Sequence, residues 1–250
     1  KKGWESFCVS SQCGCGFGCK FCATGAIGHK RNMTADEITD QILYFYLAGH
    51  QINSVSFMGM GEPFANPNLF DALKILTNPS LFGLSQRRIT ISTIGMIPGI
   101  KRLTRDFPQV NLAFSLHSPF EKQRSELMPI NQTYPLHKVM DALDAHVANT
   151  KRRLFLAYIM LGGINDSAEH AKALAHLILS RGALSYLYHV DLIPYNATDK
   201  TARKFTASNH EAIKNFSDIL HSNRISVAIR MQFGSDIGAG CGQLYADERD

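Results

Sequence analysis

Seven apolar, β-rich runs recur along the chain, and helical patterns fill the gaps between them. The runs cover residues 6–11, 54–58, 89–93, 110–116, 154–161, 187–193 and 225–229. Strands that alternate with helices pair in parallel, as βαβ units. Six strand–helix units predict an α/β fold, a partial (β/α)6 TIM-like barrel, with an open doubly wound sheet as the alternative. Either architecture puts its chemistry at the C-terminal ends of the strands. The clearest helix starts at Thr34, which can cap it, with Glu37 three residues on to close a capping box. Ile38, Ile42 and Phe45 follow at helical spacing, and Gly49 can end it. Further helices are expected over 68–76, 136–148, 168–179 and 209–221.

The chain of 250 residues is 45% hydrophobic and 19% charged, so it can bury a sizeable core as one domain. No apolar run approaches the ~20 residues of a membrane span. The start, Lys-Lys-Gly-Trp-Glu-Ser-Phe, lacks a signal-peptide core. A cytoplasmic protein with no membrane partner is expected. The first residue is not Met, which points to a fragment of a longer protein. The net charge of +5 is compatible with a polyanionic partner, but charge alone also fits solvated faces and helix ends.

Polar residues gather where the strands are expected to end. Cys15–Cys22 follows the first strand and Gly59-Met-Gly-Glu-Pro63 the second. Ser92-Thr93 ends the third, Ser115-Leu-His117 the fourth, and Asn196 follows the sixth. One shared position argues for one site.

Five of the six cysteines fall between Cys8 and Cys22. A reducing compartment and a chain of this length disfavour a disulfide scaffold. Cys15, Cys19 and Cys22 form C-x3-C-x2-C, with glycines at 14, 16 and 18 that let the loop wrap something compact. Three thiolates on one loop can hold three corners of an iron–sulfur cube and leave the fourth iron open. A zinc site that recruits Cys13 is the competing reading, although its spacing is unusual.

The spacing is similar to the signature of the radical SAM superfamily. The resemblance narrows with the stretches CVSSQCGCGFGCKFCATG, RNMTADEITDQI, SFMGMGEP, ISTIGMIPGI, NLAFSLHS, RSELMPIN, HVDLIPYN and DIGAGCGQL. Together they resemble the RlmN/Cfr family of 23S rRNA adenine methyltransferases, over nearly the whole chain. Gln12-Cys13-Gly14-Cys15 and Gln232-Phe233-Gly234 favour the Cfr branch, which methylates C8, over the housekeeping RlmN branch, which methylates C2 and also acts on tRNA.

The resemblance implies a radical SAM core over residues 1–250, with the family's N-terminal accessory domain not represented. It implies a 4Fe-4S cluster on Cys15, Cys19 and Cys22, and two S-adenosylmethionine (SAM) molecules per turnover. One SAM methylates Cys241. The second, cleaved by the cluster, yields a radical that takes a hydrogen from that methyl group, and the resulting carbon adds to adenine. Cys8 resembles the cysteine that resolves the adduct and pairs with Cys241. Gly61 and Glu62 resemble the contacts to the SAM amino group. Ser92, Ser115, Leu116 and His117 resemble those to its carboxylate and ribose, and Asn196 the adenosine contact. The implied partners are 23S rRNA, before ribosome assembly is complete, and an electron donor such as flavodoxin. C8 methylation implies antibiotic resistance.

Blander readings stand beside these. Gly61 can be a turn, Glu62 a helix-terminal charge, and His117 a satisfied strand-end histidine. Cys8 can be core, and core packing is the reading for Cys13 and for Met58, Met60 and Met128. A radical SAM enzyme of another class would leave Cys8 and Cys241 without roles. A zinc-bound RNA-binding module would lack catalysis altogether.

Overall fold

A computed structural model describes residues 3–198, 204–231 and 243. The chain opens with β1 (Ser6–Cys8), β2 (Gln12–Gly14), α1 (Ala23–Ile27), β3 (His29–Asn32) and α2 (Ala35–Leu47). Next come β4 (Ser54–Phe57), α3 (Leu69–Thr77), β5 (Ile89–Thr93), α4 (Ile97–Asp106), β6 (Asn111–Ser115), α5 (Glu121–Leu127) and α6 (Leu136–Thr150). It continues through β7 (Leu154–Met160), α7 (Ala168–Leu179), β8 (Tyr188–Pro194), α8 (His210–Ser222) and β9 (Ser226–Ile229).

The main sheet has seven strands in the order β1-β4-β5-β6-β7-β8-β9, and every neighbouring pair is parallel. This order follows the sequence without reversal. A doubly wound sheet needs a switch point, so that alternative falls. The sheet is also curled. In a flat sheet, β4 and β9 would lie about 24 Å apart, at about 4.8 Å per strand. Arg230, just past β9, nevertheless reaches the sulfur of Met58, just past β4, with Nη1 at 3.4 Å. The expected partial barrel is therefore present, with β9 as a seventh strand beyond the six strand–helix units.

Side chains alternate across each strand. Val55 and Phe57, Ile89 and Ile91, Leu112 and Phe114, and Tyr188, Val190 and Leu192 pack with Ile38, Ile42, Leu73, Val139, Leu174 and Phe216 of the helices in one core. The intervening positions, among them Ser56, Ser92 and Ser115, fall on the opposite, inner side of the curl.

The capping box forms. Thr34 Oγ1 accepts from Glu37 N at 3.1 Å, and Glu37 Oε2 accepts from Thr34 N at 2.9 Å. Helix α7 occupies the expected residues. The sequence did not announce α1, α4 or α5. Helix α4 opens with Pro98 in its first turn, a position that suits proline. A β-carbon on Gly99 would meet the Phe64 ring at 2.2 Å, so glycine is what lets this helix close on its neighbour.

A second, unexpected sheet pairs β2 with β3 in antiparallel fashion, and it frames the cysteine loop. This corrects the core reading of Cys13. That thiol is half-buried on the hairpin opposite Arg31 and belongs to neither apolar cluster. Met128, in contrast, is fully buried, as packing predicts.

Candidate active site at the strand ends

Cys15 follows β2 directly, and its N–H donates to Gly28 O at 2.9 Å. Cys22 N donates to Cys19 O at 3.2 Å, and α1 begins at the next residue. Lys20 N donates to Leu127 O at 2.9 Å, tying the loop to the end of α5. Cys19 and Cys22 pack against the buried cluster that includes Phe21, Leu127 and Met128, and Ile94 packs against the same cluster. Burial pushes the Cys15 thiol up to about 11, with the charges of Cys22 and Glu62 adding to it. Cys19 is raised further by burial and by Cys22 and Cys15. The three thiols and Glu62 thus share one electrostatic neighbourhood.

Cys15 and Cys19, held this way, stay protonated until a cationic group draws off their protons, which suits a metal cluster. Among the described residues, no three His, Cys, Asp or Glu side chains sit close enough to grip a single ion. A four-iron cube spreads its thiolates more widely than one ion does. The donor set, the loop and its burial fit such a cluster.

Glu62 sits opposite, almost wholly buried. Its Oε1 accepts from Thr93 Oγ1 at 2.7 Å and from Phe64 N at 3.2 Å, and its Oε2 accepts from Ile94 N at 2.9 Å. It therefore does cap the short 3-10 helix Pro63–Ala65, but the cap accounts for only one of three bonds. Burial, opposed by these bonds, pushes its carboxyl up to about 7. Gly61 is more than a turn. Its φ is +96°, and a β-carbon there would lie 2.6 Å from the Gln12 side chain. Gln12 in turn accepts from Glu62 N at 2.9 Å and donates to Asn32 at 2.7 Å, locking the glutamate loop to the cysteine hairpin.

Ser92 and Ser115 place their hydroxyls 3.5 Å apart on neighbouring strands. His117 is buried, at φ 57°. Its Nδ1 accepts from Ile159 N at 3.0 Å, which leaves Nε2 to carry the proton. Its ring meets Phe21 of the cysteine loop edge-on, at 4.9 Å. Burial, and then Arg124, lower its pKa to about 3, so it is neutral. Leu116 stands apart from these residues. Its side chain is in the main core, while its N–H and carbonyl serve Ala157 and Arg124. Asn196 lies two residues past β8, buried. Cys8 is exposed at the end of β1, which removes the core reading.

Cys241 lies outside the described residues. Gln243, close after it in sequence, donates to Ala197 O at 3.3 Å, at the same rim as Asn196. Sequence reasoning missed Thr93 and Gln12 as supports of Glu62. It also missed Arg124, a buried guanidinium beside Cys19, although the stretch RSELMPIN contains it. Among the described residues, no helix is long and apolar enough to cross a membrane.

The family model described as the radical SAM superfamily matches residues 9–178. The protein named "Ribosomal RNA large subunit methyltransferase Cfr" from Lachnoclostridium phytofermentans is 74% identical over 248 residues, covering 99% of this chain and 72% of that protein. Its namesake from Clostridium botulinum strain Loch Maree is 68% identical over 249 residues, with the same coverage of 99% and 72%. The crystal structure of a radical SAM methyltransferase from Sphaerobacter thermophilus superposes with a TM-score of 0.88 at 41% identity, covering 94% of this chain and 69% of that one.

Proposed function

Because the chain belongs to the radical SAM superfamily and, within it, to the Cfr family of ribosomal RNA large subunit methyltransferases, we propose that it methylates C8 of a peptidyl-transferase-centre adenosine in 23S rRNA. Cys241 is the methyl carrier in this reading, and the modification confers antibiotic resistance by obstructing drug binding. Family membership removes the zinc-module alternative. The observation that carries the reading is the convergence of Cys15, Cys19 and Cys22 with buried Glu62 at the rim of a half-barrel.

Cys15, Cys19 and Cys22 would hold a 4Fe-4S cluster, and Gly61, Glu62, Ser92, Ser115, His117 and Asn196 would hold SAM, with Leu116, whose backbone groups are already bonded within the protein, only spacing Ser115 from His117. When bound, the cluster supplies the electron that splits SAM into a 5′-deoxyadenosyl radical. The chain's own work is positioning. Glu62, fixed by Thr93 and Ile94, presents a carboxylate to the SAM amino group. Ser92 and Ser115 present paired hydroxyls, and His117 presents a fixed Nε2–H donor. Phe21, Leu127 and Met128 keep water from the thiol side.

Cys241, once its thiol has lost its proton, would accept a methyl group from one SAM by nucleophilic displacement, with S-adenosylhomocysteine as the leaving group, and a second SAM would supply the radical chemistry that activates that methyl. An aromatic amidine carbon such as C8 is electron-poor, so a radical route suits it better than attack on an electrophilic methyl donor. Cys8, exposed on the same rim, would take the C8 proton of the adduct while one electron leaves to the bound cluster. Its thiolate would then attack the Cys241 sulfur and break the bond to the new carbon, which picks up a proton and leaves as the methyl group, and a cellular dithiol would reduce the remaining disulfide. The adenosine must leave its stack to be reached, which favours rRNA before ribosome assembly is complete. A cytoplasmic flavodoxin-like protein serves as electron donor. Residues 1–250 are read as the radical SAM catalytic domain.

Anaerobic purification tests the site. Wild-type protein should carry about four iron atoms per chain with matching labile sulfide, and the Cys241 peptide should carry a methyl group. Cys15→Ala should lose the iron, and Cys241→Ala the methyl group. Full iron content in Cys15→Ala would contradict the ligand assignment.

A further inference from the structure

Arg124 has no exposed surface. It lies in α5, and all of its hydrogen-bond partners are neutral. Nε donates to Leu116 O at 3.1 Å and Nη1 to Asn131 Oδ1 at 2.6 Å. Nη2 donates to Ile94 O at 2.8 Å and to Ser115 O at 3.1 Å. The guanidinium carbon lies 4.9 Å from the centroid of the Phe114 ring. Three of these acceptors are main-chain carbonyls just at or beyond the ends of β5 and β6.

Taking a charge out of water costs several kcal/mol unless an opposite charge offsets it. Among the described residues, Arg124 makes no ion pair. The Glu121 carboxylate is linked to it through Asn131, whose Nδ2 donates to Glu121 Oε2 at 2.8 Å. Glu121 is half-exposed and already receives Leu136 N and His137 N. The remaining neighbour that can carry negative charge is the cysteine loop, once its thiols ligate the cluster. The end of α5 is bonded to Lys20 N, and Ile94, whose carbonyl Arg124 holds, packs in one cluster with Cys19 and Cys22. The Cys19 and Arg124 charges each act on the other.

We propose that Arg124 is the built-in counter-cation of the iron–sulfur cluster, fixing a positive charge beside Cys19 in a pocket closed to water and thereby raising the cluster's reduction potential. The inference rests on the reading of Cys15, Cys19 and Cys22 as the cluster's ligands. A four-iron cube on three thiolates is anionic, and it becomes more so when it takes one electron from an external reductant. A fixed guanidinium stabilises the reduced form more than the oxidised form. Arg124 exchanges no proton in that step; it offsets the added charge.

A purely structural Arg124, strapping β5 to β6 by its hydrogen bonds, would leave the potential alone. The test is a dithionite titration of anaerobically loaded protein, followed by electron paramagnetic resonance. Arg124→Gln keeps donors but removes the charge. It should disfavour reduction at least tenfold, a fall of about 59 mV for a one-electron couple, at wild-type iron content. Arg124→Lys keeps the charge and should stay within threefold of wild type. Glu121→Gln leaves the buried group untouched and removes the partial carboxylate screen, so its potential should rise. An iron-loaded Arg124→Gln at the wild-type potential, or an Arg124→Lys that falls as far as Arg124→Gln, would overturn the proposal. If Arg124→Gln does not fold, an unmoved potential in Glu121→Gln overturns it. Iron-free wild-type protein would be a different failure, sinking the ligand assignment itself.

Discussion

The hydroxyl of Thr93 donates to Oε1 of Glu62 at 2.7 Å, and both residues are almost fully buried. The bond spans from the end of β5 to the loop after β4, so two adjacent strand ends jointly aim one carboxylate. Thr93→Val keeps the shape and deletes the donor. A hydrogen bond to a charged group contributes roughly 1.5–3 kcal/mol. Thr93→Val should therefore weaken SAM binding by about tenfold or more, measured by isothermal titration on cluster-loaded protein. Thr93→Ser should restore most of it.

Glu62 makes stability depend on pH in the cluster-free chain. Its carboxyl lies at about 7, against an ordinary 4.5, and burial is the main cause. A raised carboxyl favours the protonated form, so its contribution is complete below pH 4.5 and is lost as pH rises through 7. At about 1.4 kcal/mol per pH unit, the loss is about 3 kcal/mol. Urea unfolding should show Glu62→Gln gaining on wild type as pH rises from 4.5 to 8. A difference that stays flat with pH would contradict this.

His146 works in the opposite direction. Thr104 Oγ1 donates to Ile100 O at 2.7 Å and lies 2.8 Å from His146 Nδ1, so the imidazole donates from Nδ1. Among the described residues, its buried Nε2 has no partner. Burial, then Arg152, lower its pKa to about 4. Its stabilising contribution is present above pH 6.5 and is lost as pH falls through 4, again on the order of 3 kcal/mol. His146→Leu should be the more acid-resistant protein, with a shallower loss of melting temperature between pH 6.5 and 4.

Cys8 is exposed at the end of β1, and the proposed reaction ends with its thiol paired to Cys241. Cys8→Ala should still form the carbon–carbon bond to adenine and then stall. A covalent RNA–protein species, absent from Cys241→Ala, should accumulate on denaturing gels. Turnover in Cys8→Ala at the wild-type rate would remove Cys8 from the reaction.

Much of this was readable in the sequence because it is local. The strands are short β-rich runs, and the thiol ligands are neighbours along the chain, so spacing alone brings them out. Arg124 was not readable, because its meaning lies in carbonyls of Ile94, Ser115 and Leu116, which only the curled sheet brings together. Thr93 and Gln12 act on Glu62 across 31 and 50 residues. The β2–β3 hairpin is too short to leave a period, and it carries Cys13 out of the core where apolar character would place it. Leu116 was singled out for sitting between Ser115 and His117, yet its side chain points into the main core. The fold's curl was predicted by strand–helix alternation, while its extent emerged from Arg230 meeting Met58.

The most direct test of the account is mass spectrometry of 23S rRNA nucleosides. The protein would be expressed in cells that lack their own methylation at the target adenosine. 8-Methyladenosine is expected with the wild-type chain, and none with Cys241→Ala. Finding 2-methyladenosine alone would contradict the C8 assignment, and finding neither product would contradict the proposed rRNA target.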